Sequence, residues 1–507
     1  MFTQHIVNYR EVCAVFFGVI FCSYTAAQTT GESPQAWFDS GRTELQAALA
    51  LQPNTNQAKN IILFIGDGMG VSTVTAGRIY DGQSRGQPGE ENSLSFEKLP
   101  YLALSKTYNT NQQTADSAGT MTAMMSGVKS KAGFIGINQI PERGDCKTAL
   151  ENALPTFLEQ AEDAGLATGI VSTARITHAT PAATYAHVSE RDWEGDDAMP
   201  KQALQDGCRD IARQLIEFSH GDGIEVALGG GRRYFLPKTK NGGSRQDGRD
   251  LTEEWRRRFG ADKYVQDRHQ LAAFNGQTGK HLLGLFSSSH MNFSHDRAGN
   301  NRQQPNLMEM TTKALDILEQ HTQGYFLMVE AGRIDHGHHA GNALRALKDT
   351  QEFSTTIAQT LARVDLNNTL VIVTADHSHT LTISGYPTRG NPILGPVVHN
   401  DAKGNVGQPA KAADNKTYTT LGYRNGPGAV TTTRSRANVT LTDTNAPNYL
   451  QQALVPLESE THGGEDVAIY AGGPWAHLFQ RTHEQHYIYH VMWHAAQLSN
   501  RARQTSP

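Results

Sequence analysis

The chain has 507 residues, enough for one large α/β domain with insertions or for two or three smaller domains. Charged residues make up 19% and the net charge is −5 without a long basic run, so the composition argues against a nucleic-acid-binding role. The 48 glycines fit a compact, loop-rich enzyme, and 21 histidines are many.

The N-terminus has the pattern of a targeting segment. Residues 12–22 are mostly apolar, and Thr25, Ala26 and Ala27 follow as small residues typical of a cleavage site. The run is too short for a membrane-spanning helix, so we predict a signal peptide over residues 1–27 and an exported chain, periplasmic or secreted. An uncleaved anchor is the alternative. The C-terminus lacks a hydrophobic tail, so we predict no membrane anchor there.

The first predicted strand is the apolar run of residues 60–65, which leads into Gly66-Asp67-Gly68-Met69-Gly70. Further on, Asp116-Ser117-Ala118-Gly119-Thr120 precedes residues 121–125, an Ala- and Met-rich segment that indicates a helix. Ser117 would then lie near a helix N-terminus, where free N–H groups and the helix dipole favour an anion. A serine in such a place is usually only an N-cap.

Four cysteines divide into two pairs. Cys13 and Cys22 fall in the targeting segment, which leaves Cys146 and Cys208. An even pair in an exported chain favours a disulfide, which would constrain the unfolded state. Neither residue has a close Cys or His companion, so a metal role is disfavoured.

The middle of the chain alternates helical and strand-like patterns. A helical pattern covers residues 152–164, and apolar runs follow at residues 167–172 and 224–228. Between these runs stand His178, Thr180 and Arg191. Hydroxyl and carboxylate oxygens suit magnesium, and a guanidinium fork suits two oxygens of a phosphoryl group, although a lone loop arginine is usually only a surface charge. Residues 238–249 are polar and predict a surface loop.

The most informative segment follows a helical pattern at residues 306–321 and an apolar run at residues 325–329. It reads Glu330-Ala-Gly-Arg-Ile-Asp335-His336-Gly-His338-His339. Buried unpaired charge costs several kcal/mol or more, and a bound ion is a common compensation. Mixed oxygen and nitrogen ligands suit zinc, whereas carboxylates alone suit magnesium. A His-rich surface loop is the simpler alternative.

Two similar segments occur later in the chain. A helical pattern at residues 342–364 precedes the strand-like run 369–374, which leads into Ala375-Asp376-His377-Ser378-His379. Residues 380–459 are rich in Gly, Pro, Thr and Asn, and we interpret them as an insertion, because the chain must return to deliver Glu460-Thr461-His462 before the run 467–471.

Strands that alternate with helices predict an α/β fold with a mostly parallel central sheet flanked by helices on both faces. Open α/β sheets place ligands at the carboxyl ends of their strands, so we expect one polynuclear metal site there, formed around Asp67, Glu330, Asp335 and Asp376. A last helical pattern carries four histidines at spacings of three, four and four, which we interpret as packing or exposed residues: His483, His486, His490 and His494.

Six motifs in order resemble those of the alkaline phosphatase family: Gly66-Asp67-Gly68-Met69-Gly70, Asp116-Ser117-Ala118-Gly119-Thr120, His178-Ala-Thr180-Pro-Ala, residues 329–339, Thr374-Ala-Asp-His-Ser-His379 and residues 460–467. The resemblance runs from about residue 56 to residue 494. It is closer to the animal and marine-bacterial branch, because His178 and His336 stand where the enteric-bacterial type has Asp and Lys. Residues 423–428 resemble part of the family's crown domain near the dimer interface.

The resemblance implies a catalytic domain over residues 28–507, with a crown-like insertion at about 380–459, and a homodimer. It implies a broad-specificity phosphate monoester hydrolase that works through a phosphoserine on Ser117, with two zinc ions and one magnesium ion per subunit. Asp335, His339 and His462 resemble the ligands of the first zinc, and Asp67, Asp376 and His377 those of the second. Asp67, Thr180 and Glu330 resemble magnesium ligands, with His178 behind them and His336 close by. Arg191 resembles the residue that holds the phosphate oxygens, and Cys146 and Cys208 fall where this branch has a disulfide.

The sequence departs from the animal pattern at two positions. Animal members carry a fourth, calcium-type site with a Glu after a Leu-Leu-Gly-Leu-Phe-like segment, but Ser287 follows Phe286 here, so we expect no such site. Thr180 stands where animal members usually have Ser, and it keeps the hydroxyl. The alternatives are a phosphodiesterase or sulfatase of the same superfamily, which usually place Thr or a modified Cys where Ser117 stands, and a non-catalytic zinc- or phosphate-binding exported protein.

Overall fold

The computed structural model describes residues 33–276, 280–300, 303–431 and 435–505, so the predicted signal peptide lies outside the described residues. The chain divides into two compact units, residues 1–52 and 53–507. The described part of the first unit contains α1 (Pro34–Ala50), which begins after Ser33, whose hydroxyl accepts a hydrogen bond from the Ala36 amide at 3.0 Å. None of the described helices combines the length and apolarity needed to cross a bilayer.

The strands of the second unit are mostly short. They are β1 (Asn60–Ile65), β2 (Tyr101–Lys106), β3 (Ala167–Arg175), β4 (Val226–Gly230), β5 (Tyr264–Val265), β6 (Leu282–Leu285), β7 (Tyr325–Glu330), β8 (Thr369–Thr374), β9 (Ser378–His379), β10 (Leu381–Ile383), β11 (Val398–Asn400), β12 (Val406–Pro409), β13 (Leu421–Gly426), β14 (Ala453–Pro456), β15 (His462–Gly463), β16 (Val467–Gly472) and β17 (Thr482–Glu484).

Helices separate many of these strands. They are α2 (Val71–Gln83), α3 (Ser117–Ser126), α4 (Cys146–Glu151), α5 (Phe157–Asp163), α6 (Ala179–Ala182), α7 (Lys201–Gln205), α8 (Ile211–Ile216), α9 (Leu251–Phe259), α10 (Arg268–Ala273), α11 (Ser294–Asn300), α12 (Leu307–Leu318), α13 (Arg333–His339), α14 (Ala343–Arg363), α15 (Tyr487–Ala496) and α16 (Leu498–Thr505).

The central sheet has the strand order β17-β2-β16-β8-β1-β7-β3-β4-β6-β5. From β8 to β5 all neighbours are parallel, whereas β16 runs antiparallel to both β8 and β2. This arrangement confirms the predicted α/β fold with a mostly parallel sheet. The register places Ile65 of β1 opposite both Glu330 of β7 and Thr374 of β8, so the carboxyl ends of these three strands lie at one edge.

The central strands are apolar throughout because both faces of the sheet are covered. Along β1, Ile61, Leu63 and Ile65 pack into one buried hydrophobic cluster, while Ile62 and Phe64 pack into another on the opposite face. Successive side chains of a strand point to opposite faces, so a strand buried on both sides shows a continuous apolar run instead of an alternating pattern.

Some element boundaries differ from the predictions. The helix predicted from residue 152 begins at Phe157, because Thr156 caps it by accepting a hydrogen bond from the Glu159 amide at 3.1 Å, and residues 146–151 form the separate helix α4. The strand predicted at residues 224–228 is β4, which begins at Val226, where pairing with Gly169 starts. The polar stretch 238–249 is not all surface, since Arg245 is buried and donates two hydrogen bonds to Asp210 at 2.9 and 3.0 Å.

The spacing of the four late histidines predicts that they share one helix, but in the structure they do not. His483 belongs to β17 and His486 precedes α15, so only His490 and His494 lie in that helix. The His483 ring stacks on Tyr487 at 4.0 Å between centroids, and His494 packs against Trp475 at 4.3 Å. These contacts agree with the predicted packing role.

Residues 380–459 form small sheets of their own, with the orders β10-β13-β14 and β11-β12. After this region His462 of β15 pairs with His379 of β9 in a separate two-stranded sheet, and the chain then returns to the main sheet as β16. The predicted disulfide joins Cys146 and Cys208, whose Cα atoms are 5.8 Å apart.

Candidate metal centre

The four carboxylates that were expected to converge lie together at the carboxyl edge of the sheet. Asp67 follows β1, Glu330 ends β7, Asp376 follows β8 and Asp335 lies in α13. All four are buried, with at most 4% of their surface exposed. Side chains in this region form four groups with the spacing of metal ligands, and three of these groups overlap through the carboxylates of Asp67 or Asp335.

The first group is built around Asp335. The Nε2 atoms of His379, His339 and His462 lie 2.7, 3.2 and 3.4 Å from its Oδ1. His339 Nδ1 donates to the Glu460 carbonyl at 2.6 Å and His462 Nδ1 to the Ala115 carbonyl at 2.7 Å, because a carbonyl can only accept. Both Nε2 atoms therefore present lone pairs, only 3.1 Å apart. Two facing lone pairs require a proton or a cation between them.

The second group joins Asp67, Asp335 and His377, and Asp376 lies beside it. His377 Nε2 lies 3.2 Å from Asp376 Oδ2 and 3.6 Å from Asp67 Oδ1. The same nitrogen is 3.1 Å from the Ser117 hydroxyl. Asp376 is held in place through its other oxygen, which accepts from the amides of Gly68 and His377 at 3.0 Å each.

The third group shares Asp67 with the second and adds Glu330 and His178. Thr180, in α6, is fully buried and its hydroxyl has no hydrogen-bond partner among the described residues. Glu330 Oε2 accepts a hydrogen bond from the Ser172 hydroxyl, which leaves Oε1 without a partner in the described part of the chain. His336 packs beside this group, with its ring centroid 5.5 Å from that of His178.

Unpaired buried oxygens show that these groups suit cations. At this edge of the sheet, the buried oxygens that lack a hydrogen-bond partner among the described residues include Asp67 Oδ1 and Oδ2, Thr180 Oγ1, Glu330 Oε1 and Asp376 Oδ2. Each such atom costs about 1–3 kcal/mol unless something replaces its lost water, and a divalent cation can serve several at once. The donor sets fit metals by chemistry, since the first two groups mix oxygen with nitrogen and the third can offer mainly oxygen.

The pKa shifts in the protein without ions also indicate that these groups suit cations. Burial raises the pKa of Asp67 well above its ordinary value, and the carboxylates of Asp376 and Asp335 add to the effect. Burial also raises the pKa of Glu330 to about 8. Burial lowers the pKa of His377 and keeps its imidazole neutral, the form that binds a metal.

Ser117 is the first residue of α3, whose N-cap is Asp116. Asp116 Oδ1 accepts from the Gly119 amide at 3.1 Å, so the capping role that Ser117 could have filled belongs to its neighbour. The Ser117 hydroxyl instead faces His377, and the residue is only 3% exposed. A hydroxyl in this place has the N-terminal dipole of a ten-residue helix behind it.

Arg191 lies between Asp116 and the third group. Its guanidinium donates to Asp116 Oδ2 at 3.1 Å and to His178 Nε2 at 3.1 Å. Burial opposes the charge of Asp116, but Arg191 and the amides of Gly119 and Gly133 outweigh it and lower the pKa of Asp116. Asp116 thus orients Arg191 near Ser117, and a guanidinium group in that position can donate hydrogen bonds to two oxygens of an anion.

Sequence reasoning did not assign a role to three members of the site: His379, Glu460 and His290. His379 joins the first group: its Nδ1 contacts Glu460 Oε2 at 2.6 Å, while its Nε2 contacts Asp335 at 2.7 Å. Burial opposes its charge, but these two carboxylates outweigh it and raise the pKa of His379 to about 10. His379 stands in the quoted Asp-His-Ser-His motif, which could have indicated it. His290, whose ring lies 4.0 Å from that of His336, has no such signal.

Comparisons with known proteins agree with this geometry. A sequence model of the family described as Alkaline phosphatase matches residues 58–498. The chain is 44% identical over 479 residues to the tissue-nonspecific alkaline phosphatase isozyme of Homo sapiens, covering 92% of this chain and 89% of that protein. It is 45% identical over 476 residues to an alkaline phosphatase of Gadus morhua, covering 91% and 97%.

Two solved structures share the fold. Alkaline phosphatase from Thermus thermophilus matches with a TM-score of 0.62 at 24% identity, over 92% of this chain and 98% of that one. The enzyme from the Antarctic bacterium TAB5 matches with a TM-score of 0.59 at 21% identity, over 87% and 99%. At these identities the match supports the architecture of the sheet and its flanking helices.

Proposed function

The chain belongs to the alkaline phosphatase family and hydrolyses phosphate monoesters, and from this premise we propose that the reaction proceeds through a phosphoserine on Ser117. The observation that carries the proposal is the Ser117 hydroxyl itself. It stands at a helix N-terminus, free of the capping role, and 3.1 Å from an imidazole of a carboxylate-rich metal centre.

We further propose that two zinc ions and one magnesium ion occupy the three groups. Asp335, His339 and His462 would hold the first zinc; Asp67, Asp376 and His377 the second; and Asp67, Thr180 and Glu330 the magnesium. Bound there, the cations would neutralise the buried carboxylates, favour the ionised serine hydroxyl and stabilise charge on the leaving oxygen. His379 orients Asp335, and His178 and His336 lie behind the magnesium ligands.

In the first step the ionised Ser117 oxygen attacks phosphorus, and the bond from phosphorus to the alcohol oxygen breaks. The proton of the serine passes to solvent, and the departing alcohol regains one from water. In the second step a water oxygen attacks the phosphoserine, which releases inorganic phosphate and restores the hydroxyl. Arg191 and the N-terminus of α3 hold the non-bridging oxygens, where phosphoryl transfer needs positive charge.

Ser117→Ala tests the nucleophile, with Ser126→Ala at the far end of the same helix as a matched control. The Ser117 variant should lose at least about a thousandfold in turnover, because activated nucleophiles rarely contribute less. It should keep its metal content and its affinity for inorganic phosphate. Acid quenching during turnover should trap covalent phosphate on the wild type and on Ser126→Ala, but not on Ser117→Ala. Near-normal turnover of Ser117→Ala would remove the residue from this role.

The substrate class can be checked separately. Nitrophenyl phosphate should be hydrolysed much faster than bis-nitrophenyl phosphate, because a diester carries a second ester group on one of the oxygens that Arg191 and the helix would bind. Because the groups named above hold only the phosphoryl part, we propose broad specificity for the alcohol. Equal rates on both substrates would favour a phosphodiesterase.

We also propose that the mature protein comprises residues 28–507, is exported to the periplasm or outside the cell, and forms a homodimer with a crown-like insertion at about residues 380–459. The separate small sheets of that region support the insertion. Sequencing the N-terminus of the exported protein tests the cleavage site. Light scattering on wild type and on a chain shortened within residues 380–459 tests whether the insertion contributes to the dimer.

A further inference from the structure

A second cluster of potential ligands lies at the opposite edge of the sheet from the metal centre. Asp222 and Glu225 precede β4, and His281 precedes β6, so all three stand at the amino ends of parallel strands. One ligand atom from each lies within 4.8 Å of the other two. In β3, Thr168 contacts this cluster and Ser172 contacts Glu330 of the metal centre. These two residues are four positions apart, which separates the two sites by roughly 13 Å at the usual rise of a strand.

Glu225 is the buried centre of the cluster. Only 1% of the residue is exposed. Its Oε2 accepts from the Thr168 amide at 2.7 Å, whereas Oε1 has no hydrogen-bond partner among the described residues. A buried carboxylate oxygen left unpaired costs free energy unless a proton or a cation meets it. This unpaired oxygen points to a ligand independently of the clustering.

His281 presents its free nitrogen for binding. Its Nδ1 lies 3.2 Å from the Ile224 carbonyl, which can only accept, so Nδ1 carries the proton and Nε2 the lone pair. The ring stacks on Phe259 at 4.2 Å, which fixes its orientation. His281 also has a φ of 60°, a left-handed backbone conformation that costs a non-glycine residue energy and is often kept for function.

Two further side chains face Glu225. The Nε2 atom of His321 lies 3.8 Å from Glu225 Oε1, too far for a hydrogen bond, and it too lacks a partner in the described part of the chain. Two ligand atoms of one tetrahedral zinc stand roughly 3.4 Å apart, so a small closing movement would let both bind a single ion. Glu162, whose carboxylate accepts a hydrogen bond from the Thr168 hydroxyl, adds a third carboxylate beside those of Asp222 and Glu225.

The carboxylates of this cluster are difficult to ionise in the protein without ions. Burial raises the pKa of Glu225 to about 8, and the Asp222 carboxylate adds to the effect. Burial raises the pKa of Glu162 to about 10, and Glu225 adds to that effect. Lys280 and Arg258 are the nearby cations, and both act on His281. Asp222 is exposed, which leaves a path from solvent into the cluster.

We propose that Asp222, Glu225 and His281 bind a divalent transition-metal ion of the zinc class, with His321 as a further ligand. Two carboxylates with one or two imidazoles suit zinc better than calcium or magnesium, which prefer oxygen ligands alone. The site differs from the calcium-type site discussed for Ser287, because Ser287 follows the carboxyl end of β6 and His281 precedes its amino end. It is independent of the proposed catalytic roles.

The test uses the full chain loaded with zinc and magnesium, and counts zinc per chain by mass spectrometry after titration against a chromophoric chelator. Glu225→Gln and Asp222→Asn each remove a ligand; the second is exposed and should fold even if the first does not. Asp163→Asn is the control, since it removes a nearby exposed charge outside the three ligands. The wild type and the control should bind one more ion than the two variants, whose affinity at this site should fall about tenfold or more.

A second measurement uses the chelator to remove the additional zinc ion first and then adds cobalt(II). The wild type should give the visible absorption of a low-coordinate cobalt site, and Asp222→Asn should not. Nitrophenyl phosphate hydrolysis should stay unchanged in every variant. Equal metal counts in the wild type and the variants would overturn the proposal, because the carboxylates would then hold protons only. Loss of the ion together with loss of activity would also overturn it, since the ion would belong to the catalytic centre.

Discussion

Replacing Glu330 with glutamine should change stability in opposite directions with and without bound cations. In the protein without ions, burial raises the pKa of Glu330 from its ordinary value of 4.5 to about 8. The folded state therefore binds more protons at this residue than the unfolded state throughout that interval. Its contribution to stability is fully present below about pH 4.5 and is lost as the pH rises to about 8.

The size of the effect follows from the same shift. At about 1.4 kcal/mol per pH unit, the loss approaches 5 kcal/mol for a residue that is fully buried. Glutamine mimics the protonated acid, so Glu330→Gln should escape the loss and exceed the wild type in stability near pH 8 when cations are absent. With cations bound, Glu330→Gln should be less stable than the wild type. The neutral amide oxygen of glutamine binds a divalent cation more weakly than the carboxylate oxygen Oε1 would.

Urea unfolding at several pH values between 4.5 and 8, with chelator and with saturating zinc and magnesium, measures both signs. Glu151→Gln, at an exposed glutamate, is the matched control and should follow the wild type in both series. If the stability difference between Glu330→Gln and the wild type does not vary with pH in chelator, or has the same sign in both series, the reasoning from buried charge is wrong.

Three further predictions concern other parts of the molecule. Arg191→Ala should weaken inhibition by inorganic phosphate about tenfold or more while Arg191→Lys keeps part of it, because only the guanidinium offers two parallel donors; equal inhibition constants would contradict the assignment. Glu460→Gln should speed the chelator-driven loss of zinc about 10- to 100-fold by loosening His379, whereas an unchanged rate would limit Glu460 to a structural role. Replacing Cys146 and Cys208 by serine should lower the free energy of unfolding by about 4 kcal/mol, since the bridge closes a loop across 62 residues; denaturant midpoints equal to the wild type would refute this.

In two places the local sequence pattern predicts the structure incorrectly. Residues 152–164 have a helical pattern, but Thr156 competes for the N-cap and starts the helix later, at Phe157. Residues 238–249 look like a surface loop, yet Arg245 is buried against Asp210 from a distant segment. In both cases the deciding interaction is a side-chain hydrogen bond, and the pattern of apolar residues contains no information about it.

The fold class and the residues available for chemistry follow from the amino-acid sequence alone. Apolar runs such as residues 60–65 and 369–374, separated by helical patterns, predicted strands buried on both faces, and such strands deliver polar residues to one edge. Which side chains meet depends on the tertiary structure. It gave the capping role to Asp116 and left Ser117 free, placed His379 between Asp335 and Glu460, and gathered Asp222, Glu225 and His281 at the far edge. The reason is physical: periodicity follows from one element's own geometry, whereas a ligand cluster depends on the register and packing of several elements that are remote in the chain.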